Sequence, residues 1–165
     1  KQGMEKMIVD LRDNPGGLLD SVCDVLRKIL PEGLIVYTED KDGNREEEKC
    51  DGKNELRIPL AVLVNESSAS ASEIFAGAVK DYEIGTIVGT TTYGKGIVQS
   101  IRQLSDGSAV KLTTAKYFTP KGNDIHKVGI TPDVEVKLDA SLLNRTDYTH
   151  DEDNQLQAAI EAVSR

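Results

Sequence analysis

No apolar run in the 165-residue sequence approaches the roughly 20 residues needed to cross a bilayer. The opening stretch, Lys1 to Asn14, lacks the long apolar segment and small-residue cleavage site of a signal peptide. It runs almost at once into a strand-like segment, which reads as the interior of a longer protein. Basic charge is in short supply, with 20 Lys and Arg against 28 Asp and Glu and a formal net charge of −8. No basic stripe is visible, which argues against a phosphate-binding surface and against nucleic acid as a partner. Cysteine is scarce too: Cys23 and Cys50 lie too far apart in sequence for a close-spaced metal pair. Cys23 falls in a helical apolar pattern and reads as a packed thiol, and two cysteines leave a disulfide between them open. No internal repeat or low-complexity linker interrupts the chain.

What remains is an ordinary globular composition, 38% hydrophobic and 29% charged, at the length of one domain. Met7 to Leu11 (MIVDL) reads as a short buried strand, and the breaker-rich turn Arg12-Asp13-Asn14-Pro15-Gly16-Gly17 follows it. Leu18, Val22, Val25, Leu26 and Ile29 recur at helical spacing and predict a helix over 18–30, stopped by Pro31. Strands are expected over 34–38 and 45–49, joined by the hairpin-type turn Asp42-Gly43. Glu46-Glu47-Glu48 reads as a solvated face. Leu60 to Asn65 (LAVLVN) predicts another buried strand, and residues 70–81 a second helix with Ile74, Phe75, Ala78, Val79 and Tyr82 on its apolar side. Further strands are expected over 86–89, 98–104, 109–118 and 134–138, with turns at Ser105-Asp106-Gly107 and Thr119-Pro120-Lys121-Gly122. Asp151-Glu152-Asp153 can cap a final helix carrying Leu156, Ala159, Ile160 and Val163. Strand–turn–helix occurs twice before strands take over, giving one α/β domain with a mixed sheet and flanking helices.

Three segments could carry chemistry. In Asn65-Glu66-Ser67-Ser68-Ala69-Ser70-Ala71-Ser72-Glu73, a serine between a buried strand and a helix stands on a tight turn at the positive end of the helix dipole. Ser70-Ala71-Ser72-Glu73 equally fits a capping box that merely starts the helix. In Tyr93-Gly94-Lys95-Gly96-Ile97-Val98-Gln99, a lysine between glycines is ordinarily a solvated turn residue; it serves as a general base only where burial lowers its pKa. An amide such as Gln99 could orient that amine without the charge-favouring effect of a carboxylate. Residues four apart in an extended strand are about 13 Å apart, so Lys95 and Gln99 meet only if the segment bends. In the third segment, the glycine amides of Asn14-Pro15-Gly16-Gly17 at the mouth of a helix form either an anion cradle or a plain structural turn. No GxGxxG fingerprint supports a dinucleotide site.

The stretches MIVDLRDNPGGLL, LAVLVNESSASASEIFAGAVKDY, IVGTTTYGKGIVQ and GITPDVEVKL together resemble the carboxyl-terminal processing (tail-specific) proteases, in that family's order and over most of the chain. The resemblance implies a crotonase-like α/β core and a serine–lysine endopeptidase working through an acyl-enzyme, without metal or cofactor. It implies Ser70 as nucleophile, Lys95 as general base and Gln99 as the residue orienting the lysine. Gly16 and the backbone amide of Ala71 match the oxyanion hole, with Gly17 as a neighbouring candidate. It further implies a polypeptide substrate held by its tail on an upstream PDZ domain that these 165 residues do not include. Action outside the cytoplasm, in a bacterial envelope or plastid lumen, also follows from the resemblance; homo-oligomerisation is left open. Two rival readings stand beside it. A Ser–His–Asp hydrolase would have to use His126, expected in an exposed loop, or His150, in a polar stretch. A catalytically silent crotonase-like binding scaffold would use none of these residues chemically.

Overall fold

The computed structural model describes residues 3–143 and 145–164. Its strands segregate into two four-stranded sheets instead of the single mixed sheet expected. β1 (Met7–Asp10), β4 (Leu60–Val64), β5 (Thr86–Gly89) and β8 (Val134–Glu135) form a parallel sheet in the order β1-β4-β5-β8. β2 (Glu32–Asp40), β3 (Arg45–Asp51), β6 (Ile97–Gln103) and β7 (Ala109–Phe118) form an antiparallel sheet in the order β3-β2-β7-β6. Connection chemistry accounts for the split. Parallel neighbours need long crossovers, whereas β2–β3 and β6–β7 are joined by tight turns. In the first of these, Gly43 takes φ +83° while the Asp40 carboxylate accepts from the amides of Asp42 and Asn44.

The continuous apolar run of β4 follows from burial on both faces. Leu60, Val62 and Val64 join the main core with Cys23, Leu26, Ile74, Phe75, Ala78, Val79 and Ile87, beneath helices α1 (Leu19–Leu26) and α2 (Ala71–Asp81). Ala61 and Leu63 face the other way and meet Ala159 of α3 (Asn154–Ala162) and Val163, its C-cap. α1 ends four residues before the position its periodicity predicts. The amides of Lys28 and Ile29 reach back only three residues, to Val25 and Leu26, tightening the chain ahead of Pro31. β8 is also shorter than expected and pairs through Val134 and Glu135 alone. Cys23 and Cys50 are both buried and free, and burial pushes the Cys23 thiol up to about 11. No helix among the described residues is long and apolar enough to cross a membrane.

α3 is locked to the exit of β1 by charge. The Arg12 guanidinium grips Asp10 at 2.7 Å and Asp153 at 2.8 Å, and donates to Gln155 at 3.0 Å. Asp153 is also the N-cap of α3, accepting from the amides of Gln155 and Leu156. Burial alone would push its carboxyl up, but the bonds to Arg12 and to the Leu156 and Gln155 amides hold it below the usual carboxylate range. A depressed native pKa contributes stability above the unfolded value of about 3.9, and that contribution drains away as pH falls through it. Asp153→Asn keeps a capping oxygen but loses the ion pair. Urea unfolding at neutral pH is expected to show a loss of about 3 kcal/mol, with the deficit shrinking as pH is lowered below about 4. Equal deficits at both pH values would contradict the pairing.

Candidate active site

Loops leaving the carboxyl ends of β1 and β4 approach each other closely. The Asn14 carbonyl accepts from the Ala69 amide at 3.1 Å and from the Ser72 hydroxyl at 3.0 Å, and the Ser68 hydroxyl donates to the Leu11 carbonyl at 2.7 Å. Asn65 ties the same two loops through both atoms of its amide, to the Asp13 backbone and side chain. Gly16 is needed at this crossing. With φ +97°, a Cβ there would lie 2.5 Å from the Ala69 carbonyl oxygen and 2.7 Å from the Ala71 nitrogen. Ser68 and Ser72 are thereby consumed as structural bonds, whereas Ser70 turns elsewhere.

Ser70 adopts φ 57°, ψ −116°, outside the ordinary regions for an L-residue. Such a backbone costs about 1–3 kcal/mol and persists only where its surroundings enforce it. The enforcing group is the carboxylate of Glu73, which is wholly enclosed. It accepts from the Ser70 amide at 2.9 Å and the Lys95 amide at 2.8 Å on one oxygen. Its other oxygen accepts from the Gly94 amide and the Thr92 hydroxyl, both at 2.6 Å. Thr92 must be the donor, because its oxygen already accepts from the Ile130 amide. Sequence spacing suggested the Glu73 half of a capping box; the bonds to the lysine loop were not legible there. They depend on a turn more than twenty residues downstream.

That turn, residues 90–96 between β5 and β6, is braced on every side. Tyr93 donates its amide to the Ser68 carbonyl, Lys127 donates to Gly94, and Tyr117 donates to Gly96. The glycines flanking Lys95 permit this packing: a Cβ on Gly96 would stand 2.6 Å from the His126 nitrogen, and one on Gly94 3.1 Å from Lys127. Lys95 therefore precedes β6 instead of lying in it. The β6–β7 ladder shifts register between Val98 and Gln99, so the bend required for Lys95 and Gln99 to share a site is present.

Ser70, Lys95 and Gln99 line one cavity of about 240 Å³, with Gly17, Ala71 and Tyr117 and an apolar wall of Leu19, Ile74, Ile97 and Val98. Lys95 Nζ has no hydrogen-bond or ion-pair partner among the described residues, and Gln99 makes no hydrogen bond to it there. The Gly16 amide donates to the Asn14 side chain at 2.9 Å, while those of Gly17 and Ala71 are unclaimed among the described residues. No histidine borders the cavity. His150 is exposed, and His126, expected to be exposed, is instead half-buried behind Gly96, with Nδ1 enclosed and unbonded among the described residues. Tyr117, which sequence reasoning passed over as part of a strand, is a further polar group lining the cavity, as is Lys111.

Comparison with known proteins identifies the family of the chain. Residues 1–136 match the family model Peptidase family S41. A carboxyl-terminal-processing protease of Synechocystis sp. is 46% identical over 164 residues, covering 99% of this chain and 38% of the relative. A chloroplastic C-terminal processing peptidase of Tetradesmus obliquus is 44% identical over 137 residues, covering 82% of this chain and 30% of the relative. Among solved structures, a photosystem II D1 C-terminal processing protease superposes with TM-score 0.78 at 44% identity, over 82% of this chain and 36% of that one. Mature CPAF, with TM-score 0.80 but 16% identity over 99% of this chain and 45% of its own, shares the fold alone. The chain belongs to peptidase family S41, among the carboxyl-terminal processing serine peptidases, and spans less than two-fifths of the curated relatives it matches.

Glu73→Gln places an amide N–H₂ against donors that need an acceptor. It is expected to destabilise the fold by about 3 kcal/mol and to reduce the reactivity of Ser70. Thermal melting together with the rate of Ser70 phosphonylation checks both; a variant unchanged in reactivity would exclude Glu73 from organising the site.

Proposed function

We propose that the protein is an endopeptidase cleaving polypeptides near their carboxyl-terminal tails, with Ser70 as nucleophile and Lys95 as general base. The observation that carries this reading is the single cavity shared by Ser70, on its strained turn, and the Lys95 amine, which has no partner among the described residues. Ser70 Oγ attacks the scissile carbonyl carbon while its proton passes to the uncharged Lys95 Nζ. The tetrahedral oxyanion is met by the Ala71 amide at the N-terminus of α2 and by the glycine amides at 16 and 17. Gly17 is unclaimed, and Gly16 serves once the Asn14 side chain releases it. Collapse breaks the C–N bond as Lys95 returns the proton to the leaving amine. Water, deprotonated by the same lysine, then hydrolyses the acyl-Ser70 ester. Gln99, across the cavity, is assigned to orienting the lysine amine when substrate closes the site.

In the whole protein the core is proposed to be crotonase-like, single-domain and served by an upstream PDZ domain that presents the substrate tail. An extracytoplasmic location accords with the chloroplastic and bacterial processing proteases it is similar to. The Ser–His–Asp reading is disfavoured by the absence of histidine from the cavity lining.

Ser70→Ala is expected to abolish peptide hydrolysis by the full-length protein, while Ser67→Ala retains it and Ser72→Ala loses only the bond to Asn14. Lys95→Arg keeps the charge but cannot release its proton at working pH, so it should be nearly as inactive as Lys95→Ala. Steady-state assay of each variant on one peptide decides the matter. An active Ser70→Ala would remove the nucleophile assignment, and appreciable turnover by Lys95→Arg would make the lysine a fixed charge only.

A further inference from the structure

Tyr117 lies in β7, opposite Thr38 of β2, and is only 4% exposed although it lines the cavity. It holds the lysine loop at two points. Its amide donates to the Gly96 carbonyl, and its hydroxyl donates to the carbonyl of Lys95 itself. The same hydroxyl lines the cavity beside Ser70 and Lys95. One phenol thus stands next to the Ser70 side chain and is bonded to the main chain of Lys95.

We infer that Tyr117 is a positioning residue for the proposed serine–lysine pair, its phenol fixing both the direction of the Ser70 hydroxyl and the backbone from which the Lys95 side chain springs. The inference rests on the serine–lysine reading. A free serine side chain samples three staggered rotamers. A buried phenol packed beside Ser70 restricts that choice while leaving the hydroxyl proton to Lys95 Nζ. The bond to the Lys95 carbonyl sets the starting point of a long flexible side chain whose amine has no other partner among the described residues. Effective alignment of reacting groups within hydrogen-bond reach is what such contacts contribute, and a misplacement of about 1 Å costs on the order of 100-fold in rate. Burial pushes the Tyr117 hydroxyl above its usual range, a tendency the neighbouring Ser70 side chain opposes and the nearby Glu73 charge reinforces. The phenol thus keeps its proton, and its role as donor to Lys95, at any pH where a peptidase would work.

The test is Tyr117→Phe in the full-length protein, assayed beside Ser70→Ala. Removing the hydroxyl alone is expected to lower kcat by about 10- to 100-fold with KM unchanged, and to slow phosphonylation of Ser70 by the same factor. A second variant, difluorotyrosine introduced at position 117, retains the hydroxyl with a more acidic phenol. It should be active at lower pH and lose kcat as that phenol ionises, adding a falling alkaline limb that the natural protein lacks. A purely structural tyrosine would produce no such limb. Wild-type kcat in Tyr117→Phe, a loss confined to KM, or an unaltered pH profile for difluorotyrosine would each overturn the inference while leaving Ser70 and Lys95 in place. An active Ser70→Ala would overturn the serine–lysine reading and this inference with it.

Discussion

A buried carboxylate with no ion-pair partner among the described residues ties the Ser70 and Lys95 turns together. Glu73 takes its compensation entirely from donors: two amides of the lysine loop, the Ser70 amide and the Thr92 hydroxyl. An ionised group in a low-dielectric interior is tolerable only when its lone pairs are satisfied. Losing any one donor therefore penalises the rest, and the Ser70 turn and the Lys95 turn are obliged to form together. This is also how a serine can be kept at φ 57°, since the strain is local while the restraint is spread over two loops.

The two sheets divide the chemistry between them. The parallel sheet supplies the Gly16 and Ser70 turns from adjacent strands, placing both at its carboxyl edge, where open α/β sheets characteristically bind ligands. The antiparallel sheet supplies Gln99 and Tyr117, and Lys95 stands on the segment passing from one sheet to the other. The apolar wall beside them is likewise drawn from both layers, Leu19 and Ile74 from the helices and Ile97 and Val98 from β6. Proper packing of the sheets against each other is thus a precondition for Ser70 and Lys95 to share one cavity.

Much of this was legible in the chain. Period-two and period-3.6 patterning located all three helices and every strand, because burial on one or both faces imposes those periods directly. Ends were less legible: Pro31 marks where α1 must stop, but the early tightening at Val25 and Leu26 depends on tertiary packing. The separation into two sheets was missed because local pattern does not encode which strands become neighbours. Within the site, the serine turn, the glycine-flanked lysine and the Gly16-Gly17 turn stood out by local chemistry. Tyr117 did not, since an aromatic residue in a strand is ordinary core material, and only the register of β7 against the lysine loop makes its hydroxyl polar company for Ser70. The occupancy of the Gly16 amide by Asn14 was equally hidden.

The most direct measurement is a double-mutant cycle on the rate at which a small phosphonate labels Ser70 in the full-length protein, using Glu73→Gln, Lys95→Ala and the two combined, with circular dichroism confirming that each is folded. If Glu73 acts by holding the lysine loop against the nucleophile turn, the two changes damage one unit. The combined variant should then label scarcely more slowly than the slower single variant. Losses that multiply independently would contradict the account, because Glu73 would then be supporting the fold without organising the pair.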